Sequence, residues 1–590
     1  MMKVSKKTTV LGAFLGLLLT GSAAQAATIE VSSNITTSQT WTADNTYRLK
    51  GQIYVRNGAT LTIQPGTVIA SLPADQGSLA VTSGSRIHVQ GTESNPVIMT
   101  STNDTATWVG NDPKTGTWRE AANEWGNLTI MGNAVIAESA EPGNTATPTG
   151  LNKAPMEGLV AEFAGDENVL YGGDNDDDDS GSVSYLSIRY GGKVIGLDNE
   201  LNGLSLGGIG RGTDIHHVEI MNNVDDGIEI WGGTVNLKYL SVWNIGDDSI
   251  DIDQGWRGKM QFVLVVQGHS LDASQGSGVG DNGFELDGSE DSDAQPVTTG
   301  VIYNATFIGQ PVDGDGATAW RDNARVQLRN SIFMDAGEAV VRFDNLDGDG
   351  SQGYGFNGTL SWLDTWATPY SHSHNPATTI NGLGTDDTST LQARYAAQVD
   401  GYLAEITDSV FYNNNHADAY SQADAVGVTA SGDSNPAKHN VVANSSPIVD
   451  VTRGDPVLKG GKTILPVISL DPRAANDALT SNGTAPADGF FTQAPFRGAF
   501  SKDKNWLADW TAAHAFGMTV VNNTSEPAAN VDITPTTSFQ TENGVVYTVE
   551  TSTDGLHWSP VMTVVGDGTE KNFTDVTGLT AGKLYRAIVQ

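Results

Sequence analysis

Pairs of acids or amides recur in the middle of the chain, and each pair is followed by an apolar, an acidic and an apolar residue. NVDDGIEIWGG begins at Asn223, GDDSIDIDQGW at Gly246 and GDNGFELDG at Gly280. Neighbouring carboxylates can share protons in acid–base catalysis, bind a cation such as Ca²⁺, or remain solvated on an exposed strand. The doublets also suit turns, where Asp and Asn side chains hydrogen-bond to nearby backbone groups. The residues alone leave all four interpretations open.

Two of these stretches repeat with a spacing of 22 residues. When HVEIMNNVDDGIEIWGG is aligned with YLSVWNIGDDSIDIDQG, Val218 falls on Leu240. The same period places Phe262 and Leu264 in phase on the next coil, ahead of an insertion that precedes GDNGFELDG. A repeat of this length is typical of a solenoid, with one turn of a parallel β-helix per repeat.

Successive side chains of a strand point to opposite faces of the sheet. If Ile228 and Ile230 point into the core, Glu229 and Trp231 must therefore point outward. Coils stacked about 4.8 Å apart would then align their outward acids in columns. Two unit charges at that spacing repel by roughly 3.5 kcal/mol at an effective dielectric constant of 20. We therefore predict a ligand-binding face on this flank, with two arginines from later coils; its residues are Glu229, Trp231, Asp251, Asp253, Glu285, Asp287, Arg321 and Arg342.

Several loops are dense in carboxylates, for example GGDNDDDDSG, VDGDG and DNLDGDG. Ca²⁺ takes six to eight oxygen ligands from flexible loops, and Asp-x-Asp-Gly supplies two carboxylates and a turn. None of the loops completes an EF-hand, which requires a glutamate at its twelfth position. The predicted structural Ca²⁺ ligands are Asp174, Asp176, Asp178, Asp313, Asp315, Asp344, Asp347 and Asp349.

The pattern as a whole predicts an all-β chain, a right-handed parallel β-helix with a small C-terminal β-sandwich-like module. Residues 27–520 would form the β-helix with loop insertions and an aromatic cap. Residues 521–535 would be a linker, and residues 536–590 the small β module.

Residues 1–26 have the pattern of a secretory signal peptide. Three lysines precede an apolar run, and the run is followed by small residues typical of a cleavage site. The sequence contains no cysteine, which excludes disulfides and thiolate metal sites. The formal net charge of −37 argues against nucleic acid and anionic membranes as partners. We expect a secreted, cell-surface or periplasmic protein without a transmembrane segment.

The doublets and Gly268-His269-Ser270 follow one another at 22-residue intervals. This arrangement resembles the polygalacturonase-type glycoside hydrolases, β-helix enzymes with Asn-x-Asp, Gly-Asp-Asp, Gly-His-Gly and Arg-Ile-Lys motifs. The resemblance implies that Asp225, Asp247 and Asp248 protonate the leaving oxygen and activate water, and that His269 tunes them. The chain departs from the pattern at Ser270, and no Arg-x-Lys of the expected form follows it.

Over a longer stretch, roughly 185 to 515, the sequence is similar to those of secreted or surface-exposed bacterial β-helix proteins of mostly unassigned function. The similarity includes the coils and the later segments APFRGAF and NWLADWT. Many of those are lipoproteins, and this chain has no cysteine to carry a lipid. Our expectation is a calcium-associated protein that binds polysaccharide or a cell-surface partner. The alternatives are a polysaccharide-degrading enzyme, either glycoside hydrolase or lyase, and a structural adhesin or matrix protein.

Overall fold

Parallel coils stack along one axis in the computed structural model, which confirms the predicted parallel β-helix. The structure describes residues 27–137, 153–196, 199–270, 280–288, 296–343, 404–414, 439–480 and 484–520, with short stretches between 379 and 385 and between 531 and 589. The predicted signal peptide and Asp344, Asp347 and Asp349 lie outside the described residues.

One large sheet forms two sides of the coils. It has 17 strands. In the central coils a single long strand, such as Asp214–Asn223, spans both sides, whereas in the terminal coils two shorter strands do so. The strands are Ala27–Val31, Gln39–Trp41, Asn45–Leu49, Thr60–Ile63, Val68–Ser71, Arg86–Gln90, Val97–Ser101, Gly181–Arg189, Asp214–Asn223, Asn236–Ile245, Lys259–Val266, Val301–Ile308, Gln327–Arg329, Ile332–Met334, Glu405–Thr407, Val410–Tyr412 and Val441–Val442.

The long strands bend at a residue in the left-handed region of φ, and two of them contain a second such residue, Asn222 or Asn244. Tyr185, His217, Tyr239 and Phe262 have φ of 47°, 53°, 60° and 60° at equivalent positions. Their rings stack from coil to coil, with centroids 4.1, 4.2 and 4.8 Å apart. Left-handed backbone is unfavourable for large side chains, so the stacking offsets a local cost at every corner.

A nine-stranded parallel sheet forms the remaining side of the coils and carries the acidic triplets. Its inward side chains, such as Ile228 and Ile250, are fully buried in the core between the sheets. The strands are Gln52–Val55, Ser78–Val81, Leu128–Met131, Leu204–Gly207, Ile228–Trp231, Ile250–Asp253, Asn282–Asp287, Gly316–Arg321 and Val341–Phe343.

The phase predicted for the third repeat is wrong by one residue. Leu240 pairs with Val263, so Val263 and not Phe262 points into the core. The turn from Gln254 to Gly258 is one residue longer than the turn from Gly232 to Val235 in the preceding coil. The longer turn brings Trp256 into the core, where it is fully buried.

The aromatic segment near residue 500 covers the outer face of the large sheet instead of an open end of the solenoid. Phe500, Trp506 and Trp510 are buried against outward side chains of several coils, among them Met221 and Trp243. The carboxylate of Glu219 fixes this segment by accepting hydrogen bonds from the backbone N–H groups of Ala512 and Ala513.

Short antiparallel strand pairs, short helices and 3₁₀ turns accompany the strands of the coils. Antiparallel pairs are formed by Ala154–Pro155 with Leu170–Tyr171, Val194–Gly196 with Asn199–Glu200, Thr379–Ile380 with Gly384–Thr385, Ile448–Arg453 with Val467–Ala474, and Val457–Lys459 with Lys462–Ile464. The short helices are Thr102–Thr105, Asp477–Thr480 and Ala512–Ala515, and the 3₁₀ turns are Val109–Asn111, Pro113–Thr115 and Glu167–Val169. In the described parts of the chain, no helix is long and apolar enough to span a membrane.

Near the C-terminus the described residues form antiparallel sheets, in contrast to the parallel coils. One sheet contains four strands, in the order Val531–Ile533, Leu584–Val589, Val546–Ser552 and Ser559–Val565. A second contains Ser538–Gln540 and Glu570–Asn572.

Candidate functional site

The register of the nine-stranded sheet places the acids of the triplets in a column. Glu229 lies beside Asp251, and Asp251 lies beside Glu285. The column continues through Ala319 to Arg342 on the following coils. Because the paired strands are parallel and in register, neighbouring side chains along this column are about 4.8 Å apart.

The second member of each doublet has a structural role of its own. The side chain of Asp226 accepts a hydrogen bond of 2.8 Å from the backbone N–H of Asp248 on the next coil. Asp248 in turn accepts one of 2.6 Å from the N–H of Asn282, and Asn202 accepts one of 3.2 Å from the N–H of Asp226. These four residues form an Asn/Asp ladder along the turns, as the turn interpretation of the doublets predicts.

The first members of the doublets and the column of triplet acids enclose one pocket of about 370 Å³. Nine carboxylates and one guanidinium line it: Glu157, Asp225, Asp226, Glu229, Asp247, Asp248, Asp251, Asp281, Glu285 and Arg321. We call this the acidic pocket. Two carboxylates 4 Å apart repel by about 4 kcal/mol at an effective dielectric constant of 20, so a fully ionised pocket needs compensation.

Three groups of carboxylates in the acidic pocket have oxygen atoms within 4.8 Å of one another. Two of the groups share no residue, whereas the third shares one residue with each of them. The groups are Asp226 with Glu229 and Asp251, Asp247 with Asp248 and Asp281, and Asp225 with Asp226 and Asp247.

Burial and mutual repulsion raise the pKa values of several of these acids. Burial is the main cause that raises the pKa of Asp226, Glu229, Asp248 and Asp251 well above the usual range, and the charges of neighbouring carboxylates add to it. The pKa of Glu285 is raised from 4.5 to about 7, again mainly by burial. Without a cation, the pocket is therefore partly protonated at neutral pH.

The guanidinium group of Arg321 lies at one edge of the acidic pocket and pairs with carboxylates there. Nε of Arg321 lies 2.9 Å from Oδ1 of Asp287 and 3.3 Å from Oε1 of Glu285. Asp251 is 8% exposed, and within the described part of the chain its Oδ1 atom is buried without a hydrogen-bond partner. A buried carboxylate oxygen without a partner is costly, and a cation would satisfy it.

Several predicted site residues lie elsewhere. His269 is not among the lining residues of the acidic pocket. Its Nδ1 atom lies 3.4 Å from Glu120, which also pairs with Lys459. Burial lowers the pKa of His269. The longer preceding coil shifts His269 out of register with Asp247. Trp231 is 6% exposed and packs beside Tyr171, with ring centroids 6.1 Å apart, so it is covered by protein.

Other predicted ligands lie near the pocket or at its rim. Asp253 lies beside Trp231 on the neighbouring coil. Its carboxylate accepts a hydrogen bond from the backbone N–H of Gln254. Arg342 is 48% exposed and its Nη1 lies 3.5 Å from Oδ1 of Asp281. Asp225, Asp247, Asp248, Glu229, Asp251, Glu285 and Arg321 are all brought together in the acidic pocket.

Basic residues balance the acidic loops that predicted structural Ca²⁺ sites. Asp176 accepts hydrogen bonds of 2.9 and 2.7 Å from the buried guanidinium of Arg257, and Asp178 accepts from Ser180. Asp174 is exposed in the same loop. In the second loop, Asp315 pairs with Lys462 at 2.6 Å and Asp313 accepts from the N–H of Thr463.

Sequence reasoning missed three lining residues. Asp226 and Asp281 stand in the quoted doublets, and the repeat itself places them beside Asp248 and Asp247. Glu157 belongs to a segment outside the repeat, where no periodic signal indicates its position.

Together the fold and the pocket define a parallel β-helix protein with stacked carboxylates on one sheet. The chain belongs to the pectate-lyase-like β-helix domain family, whose model matches residues 33–374, including all lining residues of the acidic pocket. Proteins with such domains are typically extracellular. Comparison with curated proteins and with solved structures found no significant match.

Proposed function

We propose that the chain binds an acidic polysaccharide by means of Ca²⁺ held in the acidic pocket. The observation that carries this proposal is the enclosure of nine carboxylates around one cavity, with a buried oxygen of Asp251 that lacks a partner among the described residues. A donor set made only of carboxylates favours a hard cation such as Ca²⁺ over zinc or copper. Six to eight oxygens at 2.3–2.6 Å suit Ca²⁺, and each triad supplies part of that shell.

The family and the rim of the pocket support an anionic sugar polymer as the ligand. The family description names pectate, which is a polymer of acidic sugars. The side chains of Arg321 and Arg342 are 36% and 48% exposed at one edge of the pocket. A sugar carboxylate could pair with these groups while it occupies open coordination positions on Ca²⁺.

Affinity electrophoresis tests the proposal. In gels that contain polygalacturonate, the protein should be retarded when Ca²⁺ is present and should migrate freely when EGTA replaces it. Asp251→Asn should abolish the retardation, whereas Asp44→Asn, which alters an exposed acid on the first coil, should not. Equal mobility with and without Ca²⁺ on every acidic polysaccharide would refute the proposal.

One observation favours cleavage of the polymer as a second function. Glu285 has a pKa of about 7 and lies 3.3 Å from Arg321, so its carboxyl group can accept and donate protons at neutral pH. Hydrolysis would release a saturated reducing end, and elimination would release an unsaturated one. Glu285→Gln should abolish either product while retardation in the gel persists; binding without any product from the wild-type protein would leave only the binding function.

A further inference from the structure

Residues 153–171, which we call the flap, lie across the outer face of the nine-stranded sheet beside the acidic pocket. Tyr171 donates a hydrogen bond of 2.8 Å to Gln254, and its ring lies 6.1 Å from that of Trp231. Met156 is 2% exposed and packs directly over Gly207, where an added Cβ would lie 2.4 Å from its methyl carbon. The two ends of the flap are therefore anchored to the coils by packing.

Leu159 packs against the buried cluster below the flap, whereas residues 160–165 are exposed and contact the coils through polar groups. The hydroxyl of Tyr54 donates to the carbonyl of Val160 at 3.3 Å, and Arg56 pairs with Glu162 at 3.1 Å. Val160 and Phe163 are 69% and 59% exposed, so they contribute little buried apolar surface. Segments with few buried apolar contacts open at low free-energy cost, and the flap has this character between its anchored ends.

Glu157 lies in the packed end of the flap, between Met156 and Leu159, and lines the acidic pocket. The other eight carboxylates of the pocket come from the coils or the turns between them, whereas Glu157 comes from the flap. Glu157 and Glu229 line the same pocket, and the charge of Glu157 is one of the causes that raise the pKa of Glu229. Glu229 belongs to the triad with Asp226 and Asp251.

We propose that Glu157 is a positioning residue that joins the flap to a cation held by Asp226, Glu229 and Asp251. Binding of the cation then holds this end of the flap at the edge of the pocket and slows opening of the segment that follows it. The inference rests on the proposed function, because it requires a cation in the acidic pocket. Independent support for a ligand at this triad comes from Oδ1 of Asp251, which is buried and has no hydrogen-bond partner among the described residues.

Hydrogen exchange followed by mass spectrometry tests the coupling on the full chain. Addition of Ca²⁺ should slow exchange in peptides from residues 153–171 by about tenfold, since one charge-assisted contact contributes roughly that factor. In Glu157→Gln the slowing should fall below about twofold, and Glu157→Asp should restore part of it. Glu167→Gln changes an acid on the same flap that does not line the pocket, and it should behave as the wild type.

Calorimetry with Ca²⁺ separates the two ways of failing. If the wild-type protein binds no Ca²⁺, the proposed function is wrong and the flap has no cation to contact. If the wild-type protein binds Ca²⁺ but exchange in the flap is unchanged, or is slowed equally in Glu157→Gln, only the role of Glu157 is refuted.

Discussion

At the scale of single residues, the doublet acids serve both the fold and the pocket. Asp226 caps the N–H of Asp248, and Asp248 caps the N–H of Asn282, while both carboxylates face the acidic pocket. Asn202 caps the N–H of Asp226 in the same way, so an amide fulfils the capping role without the charge. The capping role explains why acids or an amide occupy these positions, and the acids also contribute their carboxylates to the pocket.

We therefore expect different results from two substitutions of Asp226. Asp226→Asn keeps the acceptor for the N–H of Asp248, whereas Asp226→Ala leaves that buried donor unsatisfied. The alanine variant should be less stable than the asparagine variant by about 1–3 kcal/mol. Urea denaturation without Ca²⁺ measures the difference, and equal midpoints and slopes for the two variants would contradict the capping role.

The raised pKa values of the pocket predict a dependence of stability on pH. A carboxyl group whose pKa is higher in the folded chain keeps a proton that the unfolded chain has released, so stability falls as pH rises between the two pKa values. Glu285, at about 7 against an ordinary 4.5, alone corresponds to about 3 kcal/mol across that window. Without cations the melting temperature should fall from pH 5 to pH 8.

Saturating Ca²⁺ should reduce or reverse this fall, because a bound cation stabilises the ionised acids and replaces the protons. Thermal melting at both pH values with EGTA and with Ca²⁺ provides the comparison. A melting temperature that rises with pH in EGTA would show that the acids of the pocket are not held protonated.

At the scale of elements, one buried carboxylate connects the aromatic segment to the coils. Glu219 is fully buried, accepts hydrogen bonds from Ser187 and from the N–H groups of Ala512 and Ala513, and burial raises its pKa. In Glu219→Gln the amide N–H₂ would face those donors, so we expect a loss of about 1–3 kcal/mol and faster proteolysis near residues 499–513. Unchanged melting and cleavage would show that packing of the tryptophans alone holds the segment.

The repeat of 22 residues was sufficient to predict the stacked strands and the column from Glu229 to Glu285, because alternation and stacking follow directly from the period. The prediction failed where one turn gained a residue: the longer turn before Lys259 moved His269 and Phe262 out of phase. The position of Glu157 could not be predicted from the period, because this residue reaches the pocket from a segment that does not repeat.

The loop acids show the limit of composition as a guide. The loop around Asp176 and the loop around Asp315 have the carboxylate density of Ca²⁺ loops, but Arg257 and Lys462 neutralise these two acids. Their basic partners lie about 80 and 150 residues away in the sequence, so only the folded chain shows the pairing.

At the scale of the whole molecule, the distribution of the negative charge matters more than its sum. The chain has a formal net charge of −37. Many acids outside the pocket pair with basic residues, as Asp104 does with the buried Arg189 and Asp471 with Arg473. The acidic pocket instead combines nine carboxylates with one arginine, which concentrates acidic groups at a single place on the nine-stranded sheet.

Isothermal titration calorimetry with Ca²⁺ on the full chain and on two variants tests the central claim most directly. The account predicts saturable binding to the wild-type protein, at least tenfold weaker binding to Asp251→Asn, and unchanged binding to Asp174→Asn, which alters an exposed acid of a loop outside the pocket. Absence of binding to the wild-type protein, or a loss in Asp174→Asn with none in Asp251→Asn, would contradict it.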